Sequence, residues 1–445
     1  MKSISGLVAL FCMCAACRHT TPVESTQAST DADVTSAKPF IFSIALTDSS
    51  LVKIVPVQDE FKYDYDVDWD NDGTFDETNL TGGASHNYKE PGTYTIRIRG
   101  EFPHIYAQPS GLCGMNVLQW GDIQWKSMNS MFMKCREVSP TFSTKDSPDL
   151  SQVTDMSYMF ANAWSFNQPI NHWNVSHITN MDQMFAGARD FNQPLDQWDV
   201  SHVTNMQAMF TSTMYFNQPL QTWNVSRVTT MAAMFYGAER FNQPLGSWDV
   251  SQVTDMNYMF TGAYAFNQPL DTWNVSQVTD MSGMFSETMA FNQPLESWDV
   301  SHVTNMSFMF SATRAFNQPL GSWNTSNVTH MDVMFARAGA FNQPLNSWDT
   351  SSVTSMNSMF TEVRAFNQPL DQWDVSNVTA MKHMLDYCGM DTKNYDNTLI
   401  GWASQPTMPA RHFGAEGITY CNAAAERQKL IDSGWVVKDE GLQCR

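Results

Sequence analysis

Four aspartates near the N-terminus have the spacing of a calcium-binding loop. Positions 1, 3, 5 and 9 of such a loop are taken by Asp68, Asp70, Asp72 and Asp76. Gly73 stands at position 6, where the loop turns sharply, but position 12 is Asn79 rather than a bidentate glutamate. Two interpretations stay open: four calcium ligands that stabilise residues 39–103, or an acidic turn that is purely structural.

Two further sets of residues recur every 25 residues and invite a chemical interpretation. M-x-x-M pairs such as Met256 and Met259 offer the soft sulfur ligands that copper prefers. Their helical spacing beside Phe260 favours core packing instead. Ten threonines from Thr154 to Thr379 would suit a flat ice-binding row, but capping of short helices explains them more simply. We therefore expect both sets to be structural.

The sequence shows no arrangement of residues that is typical of a catalytic site. The ten histidines are scattered, without a Ser/His/Asp or Cys/His setting, and no glycine-rich phosphate loop occurs. Repeated acids such as Asp199 and Asp249 share one environment, whereas an acid and base pair needs two different environments. We expect no enzymatic activity and, apart from calcium, no cofactor.

The dominant pattern is the segment F-N-Q-P-L, which begins at Phe191 and recurs every 25 residues to Phe366. Self-similarity at this period is typical of stacked repeats, in which each turn contacts only its neighbours. Within one turn, the L-x-x-W-x-V spacing predicts a short strand at Trp198–Val200. The M-x-x-M-F segment predicts a short helix capped by Thr204.

Polar residues at fixed positions predict hydrogen-bonded ladders between turns. The residue after each tryptophan alternates between Asn and Asp, from Asn174 to Asp349. An amide between two carboxylates donates hydrogen bonds where adjacent carboxylates would repel. We expect further ladders at the positions of Asn167 and Ser176.

The N-terminus carries an export signal. Lys2 precedes the apolar stretch 4–13, which is too short to span a bilayer. The ending C-A-A-C resembles a bacterial lipoprotein signal, which implies cleavage before a lipidated Cys17; ordinary secretion with a Cys17 thiol is the alternative. Both routes take the chain out of the cytoplasm, and the first anchors it to the cell envelope, at the outer membrane or the cell surface.

Charge and cysteines restrict the partners and the compartment. The net charge of -20 argues against nucleic acid and against anionic membranes, so we expect membrane contact only through the N-terminal lipid. In an oxidising compartment, disulfides between Cys113 and Cys135 and between Cys421 and Cys444 would staple the two ends of the repeats. The sequence leaves this pairing open, with Cys388 left over.

The repeat unit F-N-Q-P-L-x-x-W-D-V-S-x-V-T-x-M-x-x-M-F resembles the BspA-type leucine-rich-repeat surface proteins of bacteria. The resemblance covers residues 120–402 and implies an α/β fold, a leucine-rich-repeat-type solenoid of short parallel strands and short helices. It also implies surface display and attachment to proteins or other cells, with no catalytic residues. Upstream, D-V-D-W-D-N-D-G at 66–73 and P-G-T-Y-T-I at 91–96 resemble a small β-sandwich module of the polycystic-kidney-disease type.

The predicted organisation has six parts. They are the signal peptide 1–16, a disordered tether 17–38, the β module 39–103, an N-terminal cap with degenerate repeats 104–150, the repeats 151–388 and a C-terminal cap 389–445.

We expect a partner to contact the residues that break the repeat, because Tyr, Trp and Arg dominate binding hot spots; neutral drift on a solvated face is the alternative. These residues are Trp164, Tyr215, Tyr236, Tyr258, Tyr264, Phe308, Arg314, Arg337 and Arg364. The predicted function is adhesion or protein–protein interaction with extracellular, host-cell or neighbour-cell proteins. A structural stalk and a carbohydrate-binding module are the alternatives.

Overall fold

The computed structural model describes residues 37–47, 50–54, 61–405 and 411–444. Ala37–Arg445 form one compact unit, and the predicted signal peptide with Cys17 lies outside the described residues. The elements are β1 Phe40–Leu46, β2 Ser50–Ile54, β3 Asp64–Asp68, β4 Glu77–Leu80, β5 Ala84–Tyr88, β6 Gly92–Glu101, α1 Ala107–Ser110, β7 Asn116–Gln119, β8 Thr141–Phe142, α2 Thr392–Ala403, β9 His412–Ala415, α3 Ala424–Asp432 and β10 Val436–Asp439. The fold is mixed α/β, as predicted, with strands more numerous than helices in the described ranges.

The N-terminal strands form a six-stranded sheet in the order β4-β3-β6-β1-β7-β8. Strand β1 reads F-I-F-S-I-A-L, and its Phe40, Phe42 and Ile44 are buried because side chains alternate between the faces of a strand. It pairs antiparallel with β6 on one side and β7 on the other, while β2 and β5 form a separate antiparallel pair. The sheet therefore continues across the predicted boundary at residue 103.

Aromatic side chains join this sheet to the first repeats. The Trp120 ring lies 5.6 Å from Phe40 of β1 and 5.6 Å from Trp173, the first tryptophan of the 25-residue series. All three residues belong to one continuous buried cluster that runs on to Trp435 near the C-terminus. The sheet thus buries the exposed end that a stack of repeats would otherwise present.

The repeats stack through backbone hydrogen bonds, and the predicted short helices are wrong. In the turn from 191 to 215, the N–H groups of Met206, Ala208 and Phe210 donate to carbonyls of the next turn. The N–H groups between them close tight turns inside the same repeat, as in Met209 N–H to the Met206 carbonyl. The segment Trp198–Val200 is not a strand either. Single parallel bridges instead link residues such as Asn180 and Asn205 from one turn to the next.

Left-handed backbone conformations explain why no helix forms. One residue inside each M-x-x-M has a positive φ, and so does the residue four positions later. The first column comprises Ser130, Tyr158, Gln183, Ala208, Ala233, Tyr258, Gly283, Phe308, Val333, Ser358 and His383. A right-handed helix needs negative φ throughout, so these residues turn every second N–H outward to the neighbouring repeat.

The threonine of each repeat bonds backward instead of capping a helix. The Thr204 hydroxyl donates to the Thr179 carbonyl at 3.2 Å, and the same bond recurs in every turn from Thr179 to Thr379. The predicted N-cap is therefore wrong. Each threonine already uses its proton, because the carbonyl of the preceding turn lies within reach.

The predicted ladder at Asn167 is confirmed. The Asn192 N–H donates to Asn167 Oδ1 at 3.0 Å, and the Gln193 amide donates to the same oxygen. The alternating Asn and Asp after tryptophan form no such ladder in residues 174–374. Asn174 and Asp199 each accept a hydrogen bond from the N–H of the serine two residues later in the chain. The amide and the carboxylate therefore close the same kind of local turn. The serines at the position of Ser176 likewise serve these turns rather than a ladder.

The apolar side chains stack in columns. Consecutive repeat tryptophans lie nearly parallel, as with Trp198 and Trp223 at 6.5 Å and 5°. Each indole N–H also donates to a carbonyl of the preceding turn, from Trp198 to the Ile170 carbonyl onward. A buried indole therefore has its hydrogen bond only if the turns are in register.

The C-terminal cap continues these columns with different elements. Helix α2 begins at its N-cap Asp391 and buries Tyr395, Leu399 and Trp402. The Trp402 indole donates to the Leu370 carbonyl, as the repeat tryptophans do. Strand β9 bridges the last repeat through Met381 and Phe413, and β10 pairs parallel with β9.

Disulfides lie in both end regions. Cys113 pairs with Cys135 and Cys421 pairs with Cys444, with Cα atoms 5.1 Å and 4.9 Å apart. Cys388 is free among the described cysteines, and burial raises the pKa of its thiol to about 12. A thiol so rarely ionised is a poor nucleophile.

We predict that Val333→Gly stabilises the protein. Val333 has φ 61°, and this left-handed conformation costs an L-residue about 1–2 kcal/mol. Glycine avoids that cost but loses more conformational entropy on folding, so we expect the free energy of unfolding to rise by about 0.5 kcal/mol. Gly283→Ala in the same column is the matched control. Its new Cβ would lie 2.4 Å from Tyr258 Cδ1, so it should lower the unfolding midpoint. A lower midpoint for Val333→Gly would contradict the assignment of strain to this column.

We also predict that Asp255→Asn stabilises the protein at pH 7. Partial burial and the bridged neighbour Asp280 raise the pKa of the Asp255 carboxyl, so its ionisation costs stability above its ordinary pKa. The free energy of unfolding should rise by about 0.5 kcal/mol at pH 7. This gain should vanish near pH 3, where Asp255 is protonated in both the folded and the unfolded state.

Asp249→Asn is the matched control for that change. The hydroxyl and N–H of Ser251 lower the pKa of Asp249, so this carboxylate stabilises the fold above its ordinary pKa and less as the pH falls. Thermal unfolding from pH 3 to 7 should give the two variants opposite signs at neutral pH. Equal signs would mean that the ionisation of these two carboxyl groups does not decide the effects.

Candidate functional site

We define the variable band by the position of its residues within each repeat between residues 151 and 388. It comprises the two residues inside each M-x-x-M and the residues between each Met-Phe pair (Met-Leu in the last repeat) and the next repeat phenylalanine. The band holds six of the seven basic residues in this range: Arg189, Arg240, Arg314, Arg337, Arg364 and Lys382. It holds only seven of the 19 acidic residues. The band is therefore nearly neutral, whereas the remaining positions of the repeats hold one basic residue, Arg227, and 12 acidic residues.

Large aromatic side chains are exposed along this band. Tyr215, Tyr236, Tyr258 and Tyr264 are each about 40% exposed, and so is Phe308. These side chains belong to consecutive turns from 215 to 264, with Phe308 two turns beyond Tyr258. Tyrosine and other aromatic side chains are enriched in protein interfaces, so these residues are candidates for contact with a partner.

Stacked guanidinium groups order the N-terminal part of the band. Arg136 and Arg189 both lie over the Trp164 ring, at 5.4 Å and 4.6 Å from its centroid, so the partly buried indole contacts two cations. Arg240 covers Tyr215 in the same way at 4.5 Å. Stacking from turn to turn reduces the rotamer freedom that binding would otherwise remove.

The remaining predicted residues are arranged less tightly. Arg337 forms an exposed ion pair with Glu362 at 3.1 Å, while Arg314 and Arg364 are exposed. Exposed pairs of this kind contribute little stability. Their guanidinium groups stay accessible on the surface of the band.

The acidic loop after β3 brings three of its four aspartates together. Carboxylate oxygens of Asp68, Asp70 and Asp76 lie within 4.8 Å of one another, whereas Asp72 is not part of this group. Buried Asp68 accepts the N–H groups of Asn71 and Gly73. Asp76 accepts the Trp69 N–H, and Asp70 and Asp72 each accept an N–H two residues ahead.

These bonds fit the structural interpretation, because the carboxylates satisfy the turn's own backbone. Arg97 also places its guanidinium 3.9 Å from the Asp68 carboxylate and so partly offsets its negative charge. Asp68, Asp70 and Asp76 are the residues that could hold the ion. Calcium binding stays a prediction.

Three overlapping stretches, residues 126–246, 216–314 and 290–398, match the family described as Mycoplasma protein of unknown function, DUF285. Together they span residues 126–398, more than half of the 445-residue chain. The chain belongs to the DUF285 family. No curated protein and no solved structure matches the chain.

The DUF285 match covers every predicted residue of the variable band and none of the acidic loop. The resemblance to a repeat protein is thus supported at the level of a tandem-repeat family. Within the described ranges, no helix is long and apolar enough to cross a membrane.

Sequence reasoning missed two features of this surface. Tyr258 has a left-handed backbone, and its ring lies against Gly283 of the next turn, where a Cβ would fall 2.4 Å from Cδ1. Met289 is exposed in the same band. Gly283, one repeat after Tyr258, could have indicated this close packing from the sequence. The positive φ of Tyr258 itself has no signature in the local sequence.

Calcium binding to the acidic loop predicts a measurable shift in stability. If Asp68, Asp70 and Asp76 coordinate the ion, 1 mM calcium should raise the unfolding temperature, because binding to the folded state alone stabilises it. Asp70→Asn should abolish the rise, while Asp72→Asn should leave it intact. An unchanged unfolding temperature of the wild type with calcium would refute coordination.

Proposed function

We propose that this DUF285 protein is a non-enzymatic, exported lipoprotein that displays its repeat stack on the cell surface for adhesion to other proteins. In this proposal the stack is a solenoid of the BspA type, Cys17 carries the lipid, and the acidic loop belongs to a module of the polycystic-kidney-disease type. The variable band is the contact surface. Its partners are extracellular proteins or proteins of host or neighbouring cells.

The observation that carries the proposal is the concentration of exposed aromatic and basic side chains in the variable band. The fixed residues of each turn are core, turn and inter-turn bonds, so they are not free to change with a partner. The band's residues differ from turn to turn and include the types that dominate hot spots. The acidic remainder of the repeats would repel an acidic partner surface, which leaves the band as the favoured approach.

Two other functions compete with this one. A stalk without a ligand needs only the stacked turns, and exposed tyrosines with Trp164 would also suit stacking on sugar rings. Arrays of extracellular proteins and of glycans, probed with residues 37–445, separate the three functions. Adhesion predicts binding to protein spots, a carbohydrate-binding module predicts binding to glycan spots, and a stalk predicts binding to neither.

We predict that Tyr236→Ser, Tyr258→Ser and Tyr264→Ser together weaken binding to any protein captured in this way by at least tenfold. Truncating several exposed hot-spot aromatics removes contact area from the partner. The unfolding temperature should change little, because these side chains are about 40% exposed.

The matched control changes three exposed residues outside the variable band, in the turns from 241 to 315: Gln252→Ser, Gln277→Ser and His302→Ser. It should bind as the wild type does. Equal loss in both triple variants, or unchanged binding of the tyrosine variant, would rule out the variable band as the contact surface.

A further inference from the structure

A basic cleft lies where the last repeat meets the C-terminal cap. One cavity of about 290 Å³ is lined by Lys382, His383, His412, Phe413, Gly414 and Lys438. A second cavity of about 350 Å³ shares Lys382 and His412 and adds Arg411, with Asn357 and Thr379 as polar neighbours. We refer to these two neighbouring cavities together as the recess.

The strand register explains how the recess arises. Met381 bridges Phe413, and Lys438 of β10 pairs with Gly414 of β9, so Gly414 lies between the two lysines. Neighbouring strands are about 4.8 Å apart, which places the backbones of Lys382 and Lys438 roughly 10 Å apart. This register brings Lys382 and Lys438, which line the same cavity, to the two sides of Gly414.

Gly414 is required by the close approach of the last repeat. A Cβ on Gly414 would lie 2.4 Å from the His383 backbone nitrogen and 2.6 Å from Asp386 Oδ1. These groups occupy the place of a side chain at position 414. The cavity is therefore lined by the longer side chains around Gly414, among them Lys382, His412 and Lys438.

Every titratable side chain that lines the recess is basic: Lys382, His383, Arg411, His412 and Lys438. The guanidinium of Arg411 is buried, donates to the Val375 carbonyl and lies 4.6 Å from the Trp435 ring centroid. The nearby carboxylate of Asp386 is engaged by His383 Nδ1 at 2.6 Å and by the Glu416 N–H. A concave surface of one sign is exceptional on a chain of net charge -20, and such a surface concentrates counter-ions.

We propose that Lys382, Lys438 and His412 bind a doubly charged tetrahedral oxyanion, either free phosphate or sulfate or the corresponding monoester of a sugar. Two ammonium groups provide the charge, and the imidazole provides a directed N–H donor. In this proposal the oxyanion occupies the cavity of about 290 Å³ that these three side chains line. The proposal does not rest on the adhesion function: Lys382 belongs to the last turn of the variable band, but His412 and Lys438 belong to the cap.

The test is calorimetric titration of the purified protein with inorganic phosphate, sulfate, acetate and glucose 6-phosphate at low ionic strength. Phosphate and sulfate should bind saturably and acetate at least tenfold more weakly. The double variant K382Q/K438Q should weaken phosphate binding at least tenfold, and H412Q about threefold. All three residues are exposed, so the unfolding temperature of each variant should match that of the wild type.

The control K89Q/K145Q removes the same charge from exposed lysines elsewhere and should change the affinity less than twofold. A sugar phosphate that binds tenfold tighter than inorganic phosphate identifies the ester as the ligand, and equal or weaker binding identifies the free anion. No saturable binding of phosphate or sulfate, acetate binding as tightly as phosphate, or equal losses in the control and site variants would overturn the proposal.

Discussion

Everything in this molecule depends on backbone hydrogen bonds that each turn makes to the next turn in a fixed register. Because alternate N–H groups of the M-x-x-M-F segment point to the neighbouring repeat, a single turn leaves buried donors without acceptors. Threonine hydroxyls and tryptophan indoles add two further bonds across the same boundary. An extra residue inside the M-x-x-M-F segment would put these bonds out of register. Extra residues elsewhere in the turn are tolerated, since the N–H of Phe132 still donates to the Met159 carbonyl although Phe160 follows Phe132 by 28 residues rather than 25.

This constraint separates the residues that must repeat from those that are free to vary. A tryptophan such as Trp223 is part of the buried column and of the inter-turn bonding, so its replacement would affect two turns. Tyr236 and Tyr264 meet neither requirement and lie on the surface. The same separation divides the charges, since acids recur at fixed turn positions while basic residues concentrate in the variable band.

The two ends of the repeat stack are covered by different elements. At the N-terminus, Trp120 carries the aromatic core from the β1 sheet into the repeats. At the C-terminus, Trp402 of α2 takes the place of a repeat tryptophan, and β9 continues the parallel bridges. The second arrangement brings residues from the last repeat and from both terminal strands side by side, which no single repeat does. The basic recess around Gly414 follows from that junction.

The sequence by itself determined the period, the buried columns of Phe, Trp and Met, the ladder at Asn167 and the surface position of the variable residues. These follow from side-chain type and spacing, which are local properties. The sequence could not show that Ala208 and its equivalents adopt positive φ, because that choice is stabilised by the neighbouring turn rather than by the residue itself. It therefore predicted helices where the structure has turns. Only the tertiary structure decided that Thr204 bonds backward, that two guanidinium groups lie over Trp164, and that Lys382 and Lys438 line one cavity. Each of these arrangements brings together residues at least 25 positions apart.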